Sequence, residues 1–153
     1  MKGFDKRDVA SELLDAAITE HLDHARHFAA YNLAAVSEEL TSKLLRLRGR
    51  MDSTSLKIGA LKAMTDALRQ TAPDHRIWWR ELFRLKNTIK HMDGKMDRFF
   101  EAHIEVSARQ KIGDAISNFE RLDTAKSQEV QRFNARRLQL HAMARTAPPV
   151  GPK

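Results

Sequence analysis

An apolar residue recurs through the first third of the chain in steps of four, four and three. The stripe comprises Leu14, Ile18, Leu22, Ala25, Ala29, Leu33, Val36, Leu40, Leu44 and Leu47. This eleven-residue repeat gives about 3.67 residues per turn, which is close to the intrinsic period of an α-helix. The spacing therefore predicts one long amphipathic helix over about residues 8–48, and its apolar stripe needs a facing surface along its whole length.

A second apolar pattern has a different period. Its members are Trp78, Leu82, Leu85, Ile89, Met92, Met96, Phe99, His103 and Val106. The alternating steps of four and three give 3.5 residues per turn, the heptad period of coiled-coil packing. Beyond Val106 the same positions hold Gln110, Gly113 and Ser117. This loss of apolar character predicts that the helix breaks or changes its partner near residues 107–111.

Turn signals divide the rest of the chain. Gly49, followed by Asp52 and Ser53, favours a helix end and a new helix cap. Thr71 with Pro73 favours the start of a third helix. A polar stretch over residues 123–129 marks a further possible interruption.

These signals predict an all-α fold, an elongated helical bundle or antiparallel coiled-coil hairpin of three to four helices. We expect a single helical domain over residues 1–145, with helices at about 8–48, 55–71, 73–107 and 110–145. The first helix would pack antiparallel to the third, with the short second helix between them. Three of the four prolines fall in the last six residues, which predicts a disordered tail over 146–153.

Composition narrows the possible classes of function. The chain has no cysteine, which excludes thiolate nucleophiles and cysteine zinc sites. It also has no glycine-rich phosphate loop and no Gly-x-Ser-x-Gly motif. We therefore expect no enzyme activity and no cofactor. A charged N-terminal segment and the lack of any run of eighteen apolar residues predict a cytoplasmic protein without a transmembrane segment.

The densest cluster of potential metal ligands is the segment Glu-His-Leu-Asp-His-Ala-Arg-His at 20–27. On a continuous helix His21 and His24 would share a face, and two imidazoles at that spacing can bind a transition metal. Solvated histidines that pair with acids one turn away are the simpler interpretation. Metal binding through His21 and His24 is therefore a remote alternative to having no metal site.

Four aromatic residues lie beside the main apolar patterns, namely Phe28, Tyr31, Trp79 and Phe83. They require either a further helix of the same chain or an external partner, and we take them as candidate partner-binding residues. The leading hypothesis is a non-enzymatic helical interaction or assembly protein. It would act through coiled-coil-like packing with a second copy, as a homo-oligomer, or with a partner helix.

Charge distribution supports a second hypothesis. The formal net charge is +7, and residues 109–153 hold nine Lys and Arg against four Asp and Glu. A nucleic-acid-binding accessory protein would use basic residues of the third and fourth helices, namely Arg76, Arg80, Arg84, Arg132, Arg136 and Arg137. Attachment of the amphipathic first helix to a lipid or granule surface is a third hypothesis. It is disfavoured because residues 8–39 hold seven acids against one Arg.

Overall fold

The computed structural model describes residues 3–68, 75–90 and 102–146. Six helices occur there: α1 (Lys6–Leu22), α2 (His27–Leu47), α3 (Ser53–Ala67), α4 (His75–Lys90), α5 (Ile104–Arg121) and α6 (Gln128–Thr146). These described residues contain no strand, so the all-α prediction is confirmed. The helices are more numerous and shorter than the three or four that periodicity predicts, and the tail expected beyond Thr146 lies outside the described residues.

The predicted continuous helix over 8–48 is wrong, because the chain reverses between α1 and α2. Ala25 has a φ of 52°, in the left-handed region. The amide of Arg26 donates to the carbonyl of Glu20 at 2.9 Å, which closes the end of α1. The apolar stripe hid this reversal because only Ala25 and Ala29 continue it there, and alanine contributes little hydrophobic driving force.

The second reversal occurs where glycine and capping residues predict it. Gly49 has a φ of 66°, which glycine adopts without a Cβ clash. The carboxylate of Asp52 accepts a hydrogen bond from the amide of Ser55 at 2.8 Å and caps α3. This cap satisfies one of the amide groups that a helix start leaves unpaired.

The main core forms where α1, α2 and α5 pack together and α6 covers one end. Its buried members are Ala10, Leu14, Ala17, Ile18, Ala34, Ile112, Ala115, Ile116, Phe119, Val130 and Phe133. A second cluster joins Tyr31, Ala35 and Ala108 to Leu85 and Ile89 of α4. Among the described residues, the stretch at 8–48 therefore packs chiefly against α5, while α4, from the predicted third helix, contacts it near Tyr31 and Ala35.

Of the two alternatives predicted near 107–111, a break or a change of partner, the break does not occur, since α5 runs without interruption from Ile104 to Arg121. Its buried face follows Ala108, Ile112, Ala115 and Phe119. These positions keep the steps of four and three but are shifted by two residues from the pattern that ends at Val106. Val106 therefore lies on the exposed side of α5, whereas the part of the pattern from Met92 to Phe99 lies outside the described residues.

The entry to α6 is held by polar contacts. After α5 the chain turns at Asp123, which has a φ of 58°. Arg50 contacts both the carboxylate of Asp123 at 2.7 Å and the carbonyl of Arg121. The hydroxyl of Ser127 donates to Asp15 of α1 at 2.6 Å and accepts from the amide of Val130 at 3.1 Å. The bond from Ser127 to Asp15 attaches the start of α6 to α1, and Arg50 holds the preceding turn.

None of the described helices is both long enough and apolar enough to cross a membrane.

Candidate partner-binding cleft

A cleft lies between α3, α5 and α6 because α6 is only partly packed. Val130 and Phe133, in its first two turns, are buried against the core. From Ala135 to Leu140 the residues of α6 are exposed, and Leu138 keeps 66% of its surface accessible. The second half of α6 therefore forms one wall of an open groove.

The groove holds a cavity of about 580 Å³ with both basic and apolar walls. Its lining consists of Lys57, Val106, Arg109, Gln110, Gly113, Asp114, Arg137 and Leu140. Val106 is the last apolar residue of the heptad pattern, and Gln110 and Gly113 are the next two positions in the same phase. On α5 this phase therefore follows the wall of the cleft rather than the buried face of the helix.

A smaller cavity of about 180 Å³ adjoins the first, at the junction of α1 and α2. It is lined by His21, Leu22, His27, Glu105, Arg109, Phe133, Arg136, Arg137 and Leu140. Arg109, Arg137 and Leu140 line both cavities. The two cavities thus share a boundary that carries two guanidinium groups.

The cations of the cleft fall into two groups. Lys57 is neutralised by Asp114, whose Oδ1 lies 2.5 Å from Nζ. In contrast, Arg109, Arg136 and Arg137 have no carboxylate within 4.0 Å in the described part of the chain. Three guanidinium groups around the cleft thus remain available to an external anionic group.

Two imidazoles that line the smaller cavity contact each other. Nδ1 of His21 and Nδ1 of His27 are 3.2 Å apart, and the ring of His21 lies 6.1 Å from that of Phe133. Burial lowers the pKa of His21, and the nearby His27 and Arg109 lower it further, while Glu105 acts in the opposite direction. The folded chain therefore favours the neutral form of His21.

The histidine pair differs from the one that helical spacing predicts. The reversal at 23–26 brings His27, rather than His24, against His21, while His24 is exposed. Within the described residues no group of three His, Cys, Asp or Glu side chains is arranged to hold a metal ion.

A separate polar cluster lies inside the bundle, between α2, α3 and α5. Glu38 is 4% exposed and accepts hydrogen bonds from Ser42 at 2.9 Å and Thr54 at 3.3 Å. Nζ of Lys111 is 3.9 Å from the second carboxylate oxygen of Glu38. Both carboxylate oxygens of Glu38 thus have partners inside the protein, and these contacts connect α2 to α3 and α5.

The predicted partner-binding aromatics occupy different environments. Phe28 is about half exposed in the first turn of α2. Tyr31 is buried beside Ala35 and Ala108, and burial raises the pKa of its phenol. Trp79 and Phe83 belong to α4, but their side chains lie outside the described residues.

The predicted arginines are divided between α4 and α6. Arg76, Arg80 and Arg84 are exposed on α4. Arg132 of α6 binds the carboxylate of Asp23 at 2.6 Å, whereas Arg137 lines both cavities and Arg136 lines the smaller one. The expected basic ridge of α6 thus contains Arg132, which is paired, and two arginines that have no carboxylate within 4.0 Å among the described residues.

Sequence reasoning missed several cleft residues, chiefly Lys57, Arg109 and Leu140. Arg109 lies three residues after Val106 and four before Gly113, so all three share one face of α5. The spacing alone shows that these residues share a face of α5. That this face lines a groove follows only from the position of α6, which depends on the turn between α5 and α6.

The chain matches no protein-family model, no curated protein and no solved structure.

Proposed function

We propose that this protein is a non-enzymatic helical assembly protein, whose cleft between α3, α5 and α6 binds an acidic amphipathic helix. The observation that carries the proposal is the pair of guanidinium groups of Arg109 and Arg137, which have no carboxylate within 4.0 Å among the described residues and lie beside exposed Val106 and Leu140. Arg136 adds a third cation in the adjoining cavity. Such a surface complements a helix that carries both carboxylates and apolar side chains.

We further propose α1 of a second copy as the occupant. Asp8 and Glu12 lie one turn apart on the exposed face of α1, with half-buried Leu13 beside them. In the described part of the chain neither carboxylate has a cationic group within 4.0 Å. The chain thus presents unpaired acids on one surface and unpaired cations on another.

Such an interface would be heterologous, since the two surfaces belong to different helices. Heterologous contacts produce rings when the rotation closes and open chains when it does not. Because exposed charges contribute much of the complementarity, the association constant should fall as salt is raised.

Analytical ultracentrifugation across a salt series tests this proposal. We expect concentration-dependent self-association that weakens at higher salt and is lost in Arg137→Glu. A strict monomer at tens of micromolar protein and low salt would contradict it.

Nucleic-acid binding is the second candidate, favoured by the same unpaired cations at Arg109, Arg136 and Arg137. A cationic ridge can follow a phosphate backbone and gives binding that weakens steeply with salt. The ion pair between Arg132 and Asp23 reduces that ridge, which is why the candidate ranks second. An electrophoretic shift of DNA or RNA by a chain that does not self-associate would favour it.

A further inference from the structure

The smaller cavity concentrates positive charge around a pair of imidazoles. Arg109 reaches it from α5, and Arg136 and Arg137 reach it from α6, while His21 and His27 also line it. Glu105 is the carboxylate that lines the same cavity. Three guanidinium groups against one carboxylate leave the lining with a net positive charge even when both imidazoles are neutral.

The other carboxylates near the imidazoles each lie within 4.0 Å of an arginine, although the buried Oε2 of Glu20 accepts no hydrogen bond among the described residues. Glu20 of α1 lies 3.6 Å from Arg26, and Asp23 lies 2.6 Å from Arg132. His24 follows on the turn and is exposed. Among the described residues, Glu105 is therefore the carboxylate that offsets the positive charge of this cavity.

The contact between the two rings leaves nitrogen atoms available. At 3.2 Å, one Nδ1 donates a hydrogen bond to the other. The Nε2 atoms remain, one as an N–H donor and one as an acceptor. A single proton taken up by the pair converts that acceptor to a donor and leaves the bond between the Nδ1 atoms intact.

A metal ion is a poor occupant for this cavity. The 3.2 Å separation would suit two nitrogens on one metal, but no third ligand completes such a group within the described residues. Three neighbouring guanidinium groups would also repel a cation. The same groups attract an anion.

We propose that this cavity binds a phosphate monoester group or free phosphate, held by Arg109, Arg136 and the His21–His27 pair. Guanidinium groups form paired hydrogen bonds to phosphate oxygens. A phosphate monoester carries close to two negative charges near neutral pH, which matches the excess positive charge of the lining. This site does not depend on the proposed self-association, although Arg109 and Arg137 are common to both cavities.

Binding should be coupled to protonation of the histidines. Burial and the nearby cations favour neutral His21 in the empty cavity, and a bound dianion reverses the electrostatic contribution. The complex with a phosphate monoester therefore takes up a proton, and its affinity increases as pH falls from about 8 towards the second pKa of the monoester, about 6.

Titration calorimetry with inorganic phosphate tests the site in dilute, monomeric protein. We expect one saturable site whose dissociation constant rises at least about tenfold in Arg136→Gln, an exposed position, since charge-assisted hydrogen bonds are lost. Arg132→Gln, one turn away on the same helix and bound to Asp23, serves as the matched control and should bind as the original chain does. Equal weakening by both variants, or no saturation by about 10 mM phosphate, a weak-binding limit, overturns the proposal.

Further measurements identify the chemistry of the ligand. Repeating the calorimetry with phosphoserine in buffers of different ionisation enthalpy should reveal proton uptake, which His21→Gln reduces. Phosphoserine in place of free phosphate tests whether the cavity accepts an esterified group. Binding of an oligonucleotide without terminal phosphate, together with no binding of either phosphate probe, overturns the proposal, and so does zinc binding that His21→Ala abolishes while phosphate fails to bind.

Discussion

The side-chain amide of Asn118 on α5 lies 3.0 Å from the hydroxyl of Ser42 on α2, in a region with no solvent access to Asn118. The oxygen of the same amide accepts a hydrogen bond from the backbone amide of Ser53 at 2.7 Å, at the start of α3. One side chain thus joins three helices. Because buried polar groups are costly when unpaired, this arrangement fixes the relative register of those helices.

Replacing Asn118 by alanine should destabilise the fold by about 2 to 3 kcal/mol, because it leaves the buried amide of Ser53 without its acceptor. Urea unfolding followed by helical circular dichroism measures the loss. Asn87→Ala at an exposed position of α4 is the matched control, expected to change stability by less than about 0.5 kcal/mol. Equal effects at the two sites would contradict the assigned role of Asn118.

The helical class was predictable from the sequence, whereas the polar interior was not. The buried face of α2 includes Ser37, Glu38, Thr41 and Ser42. From the apolar stripe alone, these polar residues would be expected on the solvent-exposed face of the helix. Their partners lie far away in the chain, as in the contact between Asn118 and Ser42, so no local pattern reveals them.

The reversal at Ala25 was equally hidden, because it uses neither glycine nor proline. Its left-handed conformation is unfavourable for alanine. We therefore expect Ala25→Gly to stabilise the fold by about 1 kcal/mol.

Thermal unfolding of Ala25→Gly is compared with Ala29→Gly, an exposed position within α2. There the same substitution should destabilise by up to about 1 kcal/mol. If both variants lose stability, the reversal at Ala25 is not present in solution.

The candidate cleft was predictable only in part. Arg136 and Arg137 were identified from their basic neighbourhood; Arg137 lines both cavities, and Arg136 lines the smaller one. His27 could not be paired with His21 from spacing alone, because the two rings meet across the reversal. The cleft depends on the positions of the turns between helices. The periodicity of the apolar residues does not predict those positions.

Stability should depend on pH through His21. Burial lowers the pKa of His21 in the folded chain, while the unfolded chain returns to about 6.5. The unfolded state then binds more protons, so stability contributed by neutral His21 is present above about pH 6.5 and decreases as pH falls.

Melting temperatures across this range, in buffers free of phosphate and sulfate, should therefore change less in His21→Asn than in the original chain. The contribution of Asp15 to stability changes with pH in the opposite sense, because burial raises the pKa of its carboxyl group. That contribution is fully present only below the ordinary aspartate pKa of about 4 and is lost as pH rises above it. Identical profiles for variant and original chain between about pH 5.5 and 7 would contradict the contribution of His21.

A side chain that fills the cleft should block self-association without destabilising the fold. A Cβ placed on Gly113 meets no atom within 4 Å, and Gly113 lines the larger cavity. Gly113→Met should therefore stabilise α5 by about 0.5 to 1 kcal/mol while it blocks self-association.

Gly59→Met supplies the control for that variant. Gly59 lies exposed on α3, with equally open space around its Cβ. It should gain similar stability and still assemble. Undiminished association of Gly113→Met in sedimentation experiments would show that the cleft is not the interface.

A mixing experiment tests the central claim most directly. Arg137→Glu keeps the acidic face of α1 but removes a positive charge from the cleft. Glu12→Lys keeps the cleft but removes a negative charge from the face of α1. We predict that each variant alone sediments as a monomer and that their mixture forms a complex at low salt. A mixture that remains monomeric, or single variants that assemble as the original chain does, would contradict assembly through α1 and the cleft.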